Sequence, residues 1–362
     1  MSNYCFFNTV KAWGGGEKWH LEMANYLHKK GKNVLVVAAP NSPLSEKAMA
    51  LGITVKTIKL SNLSFLNPLV LIRIAHILKR NKVKSLVMNS PRDLKSAGIA
   101  SKLIKSPLII FRRGSDIPVK NNFLNRFLYQ RVVHRVLVNS AATKASLNKK
   151  NKSMVPDIKI HLVPNGIDSK AFLGGAINKL YERQNDEFIL CTLGRLVAQK
   201  NHSFLLNLAV ELKQRGMCFK LIIGGAGPLE KALKESAREK ALLKEVLFLG
   251  FIEEPKNFYN SADLFVLSSF WEGFGYVLAE ASLCELPSVA FDLSSNAQII
   301  QEGKTGTLVP EGDITHFADA IEKLCKNESL RIEMGRAAKR FVKDNFEATD
   351  IFEKVEAVIR PK

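Results

Sequence analysis

The sequence predicts an α/β protein of two Rossmann-like domains in tandem, facing each other across a cleft. Three observations lead there. The chain has 362 residues, and at roughly 100–200 residues per domain two domains are expected. Short apolar runs alternate with stretches of helical periodicity throughout, the pattern of a parallel sheet covered on both faces. That pattern runs through twice, and the turn Pro164-Asn165-Gly166-Ile167-Asp168 and the polar stretch Tyr181–Glu187 lie between the two passes.

In the first pass, Asn3–Asn8 reads as a short strand, followed by the loop Gly14-Gly15-Gly16. From Glu17 to about Lys30 the apolar residues Trp19, Met23, Tyr26 and Leu27 recur at helical spacing, and Gly31 is a fitting stop. Asn33–Ala39 reads as a buried strand, and further strands are expected at Thr54–Ile58, Ser85–Met88, Pro107–Phe111, Arg135–Val138 and Ile160–Val163. In the second pass the strands are Phe188–Leu193, Phe219–Gly224, Val246–Leu249, Asp263–Leu267, Ser288–Ala290 and Gly306–Val309. Helices between them include Phe204–Gln214 and Leu229–Glu239. The expected division is 1–165, then 166–340, then a C-terminal helix over 341–362 packing back toward the first domain. Ligands of such sheets sit at the carboxyl ends of the strands.

Composition narrows the class. Hydrophobic residues make up 46% and charged residues 24%, which suits a soluble globular protein with a sizeable core. No apolar run approaches the roughly 18–20 residues that span a bilayer, and the N-terminus does not read as a signal peptide. Cys5, Cys191, Cys218, Cys284 and Cys325 are scattered, which argues against a disulfide framework or a structural zinc site. These features point to the cytoplasm. The net charge of +19 is unevenly spread: residues 1–165 hold 28 Lys and Arg against 6 Asp and Glu, and residues 166–362 hold 25 against 28. So lopsided a field favours an anionic partner for the first half: membrane lipid, nucleic acid or a phosphorylated acceptor. The plainer alternative is a lysine-rich surface tuned for solubility.

Two segments carry the chemistry. Residues 268–282, Ser-Ser-Phe-Trp-Glu-Gly-Phe-Gly-Tyr-Val-Leu-Ala-Glu-Ala-Ser, follow a strand directly. Gly273 and Gly275 let the backbone turn tightly and approach a ligand. A helix starting at Tyr276 would aim its free N–H groups at a phosphate. Glu280 lies about 8 Å along it, a span suited to the ribose of the same nucleotide. Glu272, on the loop, would face a donor sugar or the diphosphate end. The second segment, Gly194-Arg195-Leu196-Val197-Ala198-Gln199-Lys200-Asn201, also follows a strand. Arg195 can fork onto phosphate oxygens and Lys200 can add a point charge. No Asp-x-Asp metal motif occurs in the sequence. Two fixed cations can do a metal's work on a leaving diphosphate, so no metal is expected. The alternative is two surface loops with ordinary solvated charges.

These pieces resemble glycosyltransferase family 4, retaining glycosyltransferases of GT-B fold. The resemblance rests on Gly-Gly-Gly-Glu at 14–17, Pro-Asn-Gly-Ile-Asp at 164–168, Gly-Arg-Leu-x3-Lys at 194–200, Gly-Ala-Gly-Pro at 225–228, Phe-Leu-Gly-Phe at 248–251 and Glu272 to Glu280. They occur in the family's order and cover nearly the whole chain. The resemblance implies an enzyme of class EC 2.4 that moves a sugar from a nucleotide-sugar donor to a saccharide or lipid-linked acceptor in cell-surface glycan synthesis. Arg195, Lys200 and Glu272 would be its catalytic residues. The donor would lie against Gly15, Gly16, Gly194, Gly225, Gly227, Phe251, Phe274, Gly275 and Glu280. Related readings are an epimerase or hydrolase of the same fold and, more distantly, a basic nucleic-acid-binding protein. The last lacks clustered aromatic and basic recognition motifs, so no nucleic acid is expected.

One departure matters. Members of the family often carry a histidine after the strand matching Pro107–Phe111, and here the chain reads Arg112-Arg113-Gly114-Ser115-Asp116. Arg112 or Arg113 would take over part of that role or bind an anionic acceptor, with Glu17 and Asp116 as further candidates. His20 and His134 are expected to be structural helix residues, and His202 structural. Trp13 and Trp19 either line an acceptor site or pack in the core. The stretches Asn62–Arg80 and Asn121–Arg135 mix apolar and basic residues. Each is either a core-facing helix or part of a surface touching the inner face of an anionic membrane.

Overall fold

The computed structural model describes residues 3–104, 107–184, 186–293 and 295–361. The chain divides into two compact units, one made of Met1–Asn165 with Thr349–Lys362 and the other of Gly166–Ala348. Asn185, within the polar stretch expected between the domains, lies outside the described residues.

The first unit carries β1 (Asn3–Asn8), β2 (Asn33–Ala38), β3 (Thr54–Thr57), β4 (Ser85–Met88), β5 (Leu108–Arg113), β6 (Arg135–Val138) and β7 (Ile160–Leu162), in the sheet order β3-β2-β1-β4-β5-β6-β7. All neighbours pair in parallel. The second unit carries β8 (Phe188–Leu193), β9 (Phe219–Gly224), β10 (Val246–Gly250), β11 (Leu264–Leu267), β12 (Ser288–Phe291) and β13 (Gly306–Val309). Its order is β10-β9-β8-β11-β12-β13, again all parallel. Buried on both faces, the central strands read as continuous apolar runs rather than alternating ones. β4 and β11 are buried at every position.

Both sheets reverse strand order at one place, between β1 and β4 in the first unit and between β8 and β11 in the second. Loops leaving the two strands on either side of such a reversal diverge to opposite faces and leave a crevice at the carboxyl edge. The loops concerned are 9–14 with 89–93, and 194–201 with 268–275. The motif-bearing segments of both halves therefore stand at switch points because of sheet topology.

Two expectations change at this level. The C-terminal helix does not run unbroken from 341. One helix spans Glu328–Phe346 and a second Ala348–Ile359, and Glu347 between them is extended (φ −60°, ψ 130°). Glu347 bridges to Ile167, and its carboxylate accepts from Ser169 Oγ at 2.5 Å, which ends the first helix. The second helix joins the first unit. Ser85 Oγ donates to the Ile359 carbonyl at 2.7 Å, and Phe352 packs on Tyr26. His134 is not helical either. It lies just before β6, where its Nδ1 accepts from the Ile109 N–H at 2.9 Å.

His20 is helical, in Gly15–Lys29, and fully buried. It sits beside the carbonyl of Gly16, Nδ1 to O 3.0 Å, and edge-on to Trp19 and Phe6. Burial pushes its pKa down to about 3, and the nearby Arg112 guanidinium adds to the effect. His202 opens the helix His202–Gln214, is buried, and falls to about 4 for the same first reason, with Lys200 adding. Among the described residues no helix is long and apolar enough to cross a membrane.

A depressed histidine pKa has a definite sign in the pH dependence of stability. Below an ordinary histidine pKa of about 6.5 the unfolded chain takes up a proton that the folded His20 refuses, so acid favours unfolding. Between pH 6 and pH 4, His20 should make stability fall by up to about 1.4 kcal/mol per pH unit as pH drops. His20→Asn should flatten that slope while leaving stability at pH 8 within about 1–2 kcal/mol of the parent. Urea unfolding at several pH values measures both.

Candidate active site

The second unit's site begins with a steric fact. The backbone after β9 runs directly under the loop after β8. A Cβ on Gly225 (φ +125°) would lie 1.9 Å from the Gly194 carbonyl oxygen, and one on Gly227 would lie 2.5 Å from that of Leu196. Only glycine permits this approach. With the loop seated, Gly194 N–H donates to the Gly224 carbonyl (3.0 Å), Leu196 N–H to Ala226 (3.1 Å) and Leu229 N–H to Leu196 (3.1 Å). Leu196 is fully buried beneath the loop. Gly225 and Gly227, expected against the donor, thus have a prior duty: they set the height of the segment that carries Arg195 and Lys200.

The same segment is tied to the loop after β11. Phe270 N–H donates to the Gln199 carbonyl (2.9 Å), and Gln199 Nε2 donates back to the Trp271 carbonyl (2.8 Å). Ser268 Oγ donates to the Asn201 carbonyl (2.9 Å). Ser295 Oγ donates to the Glu272 carbonyl (3.2 Å). The two halves then meet in an ion pair, Lys200 Nζ to Glu272 Oε1 at 2.5 Å, both side chains nearly buried. Lys200 packs its stem on Gly194, whose Cβ would stand 3.1 Å from Lys200 Cε. Arg195 points outward and is exposed. The sequence placed Lys200 and Glu272 in one site but as separate ligands of a donor, and their partnership was invisible to it. Gln199, Ser268 and Ser295 carried no motif. The signal that could have found them is position, since Ser268 is the first residue past β11.

The helix Tyr276–Leu283 starts at Gly275, which is left-handed (φ 76°, ψ 51°). That conformation favours glycine and turns the loop sharply into the helix. Phe274, expected at the donor, is buried against Tyr276 and Phe346. Its ring anchors the loop from inside the core. Glu280 is buried and accepts from the Tyr259 hydroxyl at 3.2 Å. Burial, with Glu280 next, drives the Tyr259 pKa far up, so the phenol keeps its proton as a donor. Phe251, just past β10, is exposed. Among the described residues no group of three or more His, Cys, Asp and Glu side chains could hold a metal ion.

The first unit builds a separate polar cluster at its own switch point. Thr9, just past β1, donates its hydroxyl to Asp93 at 2.5 Å and its N–H to the same carboxylate at 3.0 Å. Ser90 Oγ donates to Asp93 at 2.7 Å. Burial raises the Asp93 pKa, and these donors oppose the rise. Next to it, Arg112 at the end of β5 is buried. It donates to Asn89 Oδ1 (3.0 Å) and Asn165 Oδ1 (2.8 Å), and stacks 4.4 Å over Trp19. Asn89 Nδ2 in turn lies against Gly16, where a Cβ would meet it at 2.3 Å. Arg112 therefore ties β5, the turn at 165 and the segment after β4 together under the glycine loop. Arg113 reaches back to the Ile117 carbonyl. Glu17 is buried and accepts from Asn8 Nδ2 at 2.9 Å. Gly15 opens the helix, and Asp116 is half-buried in the following loop. Trp19 packs in the core while Trp13 stays at the surface.

With this geometry in view, the likenesses to other proteins are informative. Residues 13–171 match the family described as Glycosyltransferase Family 4, and residues 176–341 match that described as Glycosyl transferases group 1. A Staphylococcus aureus protein, the capsular polysaccharide biosynthesis glycosyltransferase CapM, is 28% identical over 300 residues, 78% of each chain. A Bacillus subtilis protein described as a glycosyltransferase, EpsF, is 34% identical over 191 residues, 51% of this chain, and the match spans only about half of that relative's length, 48%. Among solved structures, Anabaena HepE in complex with UDP superposes with a TM-score of 0.83 over 99% of both chains at 18% identity. That likeness shows the fold, two Rossmann-like units of GT-B type.

The glycine seat can be tested apart from activity. Gly225→Ala should cost about 3 kcal/mol or more, because strain and a clash with backbone act together. Gly216→Ala, at φ +73° with open space around it, should cost only about 1–2 kcal/mol. Denaturant unfolding of the two variants beside the parent gives the comparison, and equal losses would contradict the seat.

Proposed function

We propose that the chain, whose two halves match Glycosyltransferase Family 4 and Glycosyl transferases group 1, moves a sugar from a nucleotide-sugar donor to a hydroxyl of a saccharide or lipid-linked acceptor. The reading extends to retention of anomeric configuration and to cell-surface glycan synthesis at the cytoplasmic face of a membrane. One observation carries it. At the β8/β11 switch point an exposed arginine and a carboxylate-paired lysine stand on one rigid loop, beside a helix that starts at a left-handed glycine.

The donor is assigned to the 166–340 unit and the acceptor to the 1–165 unit. Arg195 and Lys200 hold the diphosphate, and their charge grows in value as the nucleoside diphosphate leaves. Glu272 keeps the Lys200 ammonium aimed and faces the donor sugar or diphosphate end. The helix after Gly275 adds its N–H groups. Glu280, already oriented by Tyr259, receives the ribose hydroxyls, and Phe251 with the loops at 225–228 flanks the base. The departing phosphate accepts the acceptor's proton. These fixed positive groups serve in place of a metal ion. Gly15 and Gly16 lie against the donor, and Glu17, Arg112, Arg113 and Asp116 shape the acceptor side. Support comes from the UDP bound to HepE and from the role in capsular polysaccharide biosynthesis stated for CapM.

A thermal-shift screen of UDP, GDP and ADP sugars should single out one base. At a hundredfold excess over its dissociation constant the right donor should stabilise the chain by about 2.7 kcal/mol. With that donor and a saccharide acceptor, Arg195→Ala and Lys200→Ala should each lower transfer about 10²-fold or more, with little change in the circular dichroism spectrum. Near-normal turnover in both variants would sink the assignment.

A further inference from the structure

The segment leaving β11 is dense in aromatic residues: Phe270, Trp271, Phe274 and Tyr276 fall within a short stretch. They divide by direction. Phe274 is buried against Tyr276 and Phe346. Phe270 is turned to solvent, 40% exposed, and Trp271 beside it is half-buried. Their rings lie nearly parallel, with 24° between the planes and 6.5 Å between the centroids. The pair forms a flat apolar shelf. The chain forgoes there the burial that it obtains for Phe274 on the same loop.

The shelf is held rigidly. Phe270 N–H donates to the Gln199 carbonyl (2.9 Å), and Gln199 Nε2 donates to the Trp271 carbonyl (2.8 Å). Both residues are thereby bonded, through backbone atoms, to the short turn Ala198–Lys200. Just before them, Ser268 Oγ donates to the Asn201 carbonyl (2.9 Å). Just after them, Glu272 meets the Lys200 ammonium at 2.5 Å. The rings therefore stand at a fixed place beside a carboxylate and an ammonium that are themselves fixed. A ring on so constrained a loop is ordered before any ligand arrives, which removes part of the cost of binding.

We propose that Phe270 and Trp271 form a stacking subsite for a pyranose ring. The subsite rests on the proposed function and deepens it, by naming side chains that receive a sugar. A pyranose carries C–H groups across its faces and hydroxyls around its rim. A face laid on an aromatic ring excludes water from both. The rim hydroxyls then reach polar groups alongside, and Lys200 and Glu272 supply a donor and an acceptor there. An apolar wall with a few fixed polar groups is the usual make-up of a small-molecule site. A nucleobase also stacks on aromatic rings. In the proposed arrangement, however, the base lies at Phe251 and 225–228, the ribose at Glu280 and the diphosphate at Arg195 and Lys200. Glu272, and with it the adjacent Trp271, comes at the sugar end. The stacked ring belongs either to the sugar being transferred or to the saccharide that receives it, and the two differ in which affinity the rings control.

The test compares the full chain carrying Phe270→Ala with the parent. The Phe270 backbone N–H survives the change, so the loop keeps its bond to Gln199. Titration calorimetry with UDP, GDP and ADP should give the same affinities for both proteins. The glucose, galactose, mannose and N-acetylglucosamine esters of the nucleotide that binds are then titrated. If the transferred sugar is stacked, the best of them should bind the variant about tenfold more weakly. If the accepting sugar is stacked, that affinity holds, and the KM for alkyl glycoside acceptors rises about tenfold instead, with kcat little changed. In either case Phe270→Tyr should restore the parent value and Phe270→Leu should not, because an aliphatic chain offers no flat face. Unchanged nucleotide-sugar affinity together with an unchanged acceptor KM in Phe270→Ala would overturn the subsite. So would a loss of affinity for the bare nucleoside diphosphate, which would put the base on the rings. Nucleotide binding by the parent with no sugar-dependent loss in the variant refutes the subsite alone. A parent that binds none of the three nucleoside diphosphates refutes the donor site on which the subsite rests.

Discussion

The second unit is organised around the contact between the backbone at Gly225–Gly227 and the loop 194–201. Two carbonyls lie where side chains would otherwise be, and everything chemical in that unit follows from the height this gives the loop. It lets Leu196 fill the core beneath, leaves Arg195 outside, and brings Lys200 across to Glu272. The ion pair is nearly buried, so its worth is not stability as such, since desolvation offsets much of the attraction. Its worth is direction. A lysine stem has four rotatable bonds, and the Gly194 surface and the Glu272 carboxylate together leave its ammonium one place to be.

The first unit solves the corresponding problem with different residues. Its loop after β1 is held by Asp93 through Thr9, and its glycine loop rests on Asn89, which Arg112 holds from behind. A buried guanidinium stacked on Trp19 is a stiff support. It also explains why His20, close by, stays neutral: burial disfavours its charge and the neighbouring cation disfavours it further. Arg112 is therefore part of the scaffold of the switch point as well as a candidate for acceptor chemistry.

Motif reading separated residue types well and duties less well. Gly225, Gly227 and Phe274 were expected against a ligand because they lie in ligand-binding motifs. Their immediate work is structural, through close approach and core packing. Glycine motifs record a backbone requirement, and a sequence cannot say whether the requirement comes from a ligand or from another strand of the same chain. The hydroxyls of Ser268 and Ser295 were missed for the opposite reason: serine is common, and only its partner's carbonyl makes it significant.

Strand periodicity, the order of the motifs and the uneven charge were legible in the sequence, because each depends on residues near one another along the chain or on simple sums. The alternation of apolar runs with helical spacing implied parallel sheets, and strand limits fell within a residue or two of β1 to β13. The strand order, the division of the C-terminal helices at Glu347, the Lys200–Glu272 pair and the burial of Arg112 were decided only by tertiary structure. The pairing joins residues 72 positions apart. Which residues face each other across such separations is set by how sheets twist and helices cross over them, and no local pattern encodes it.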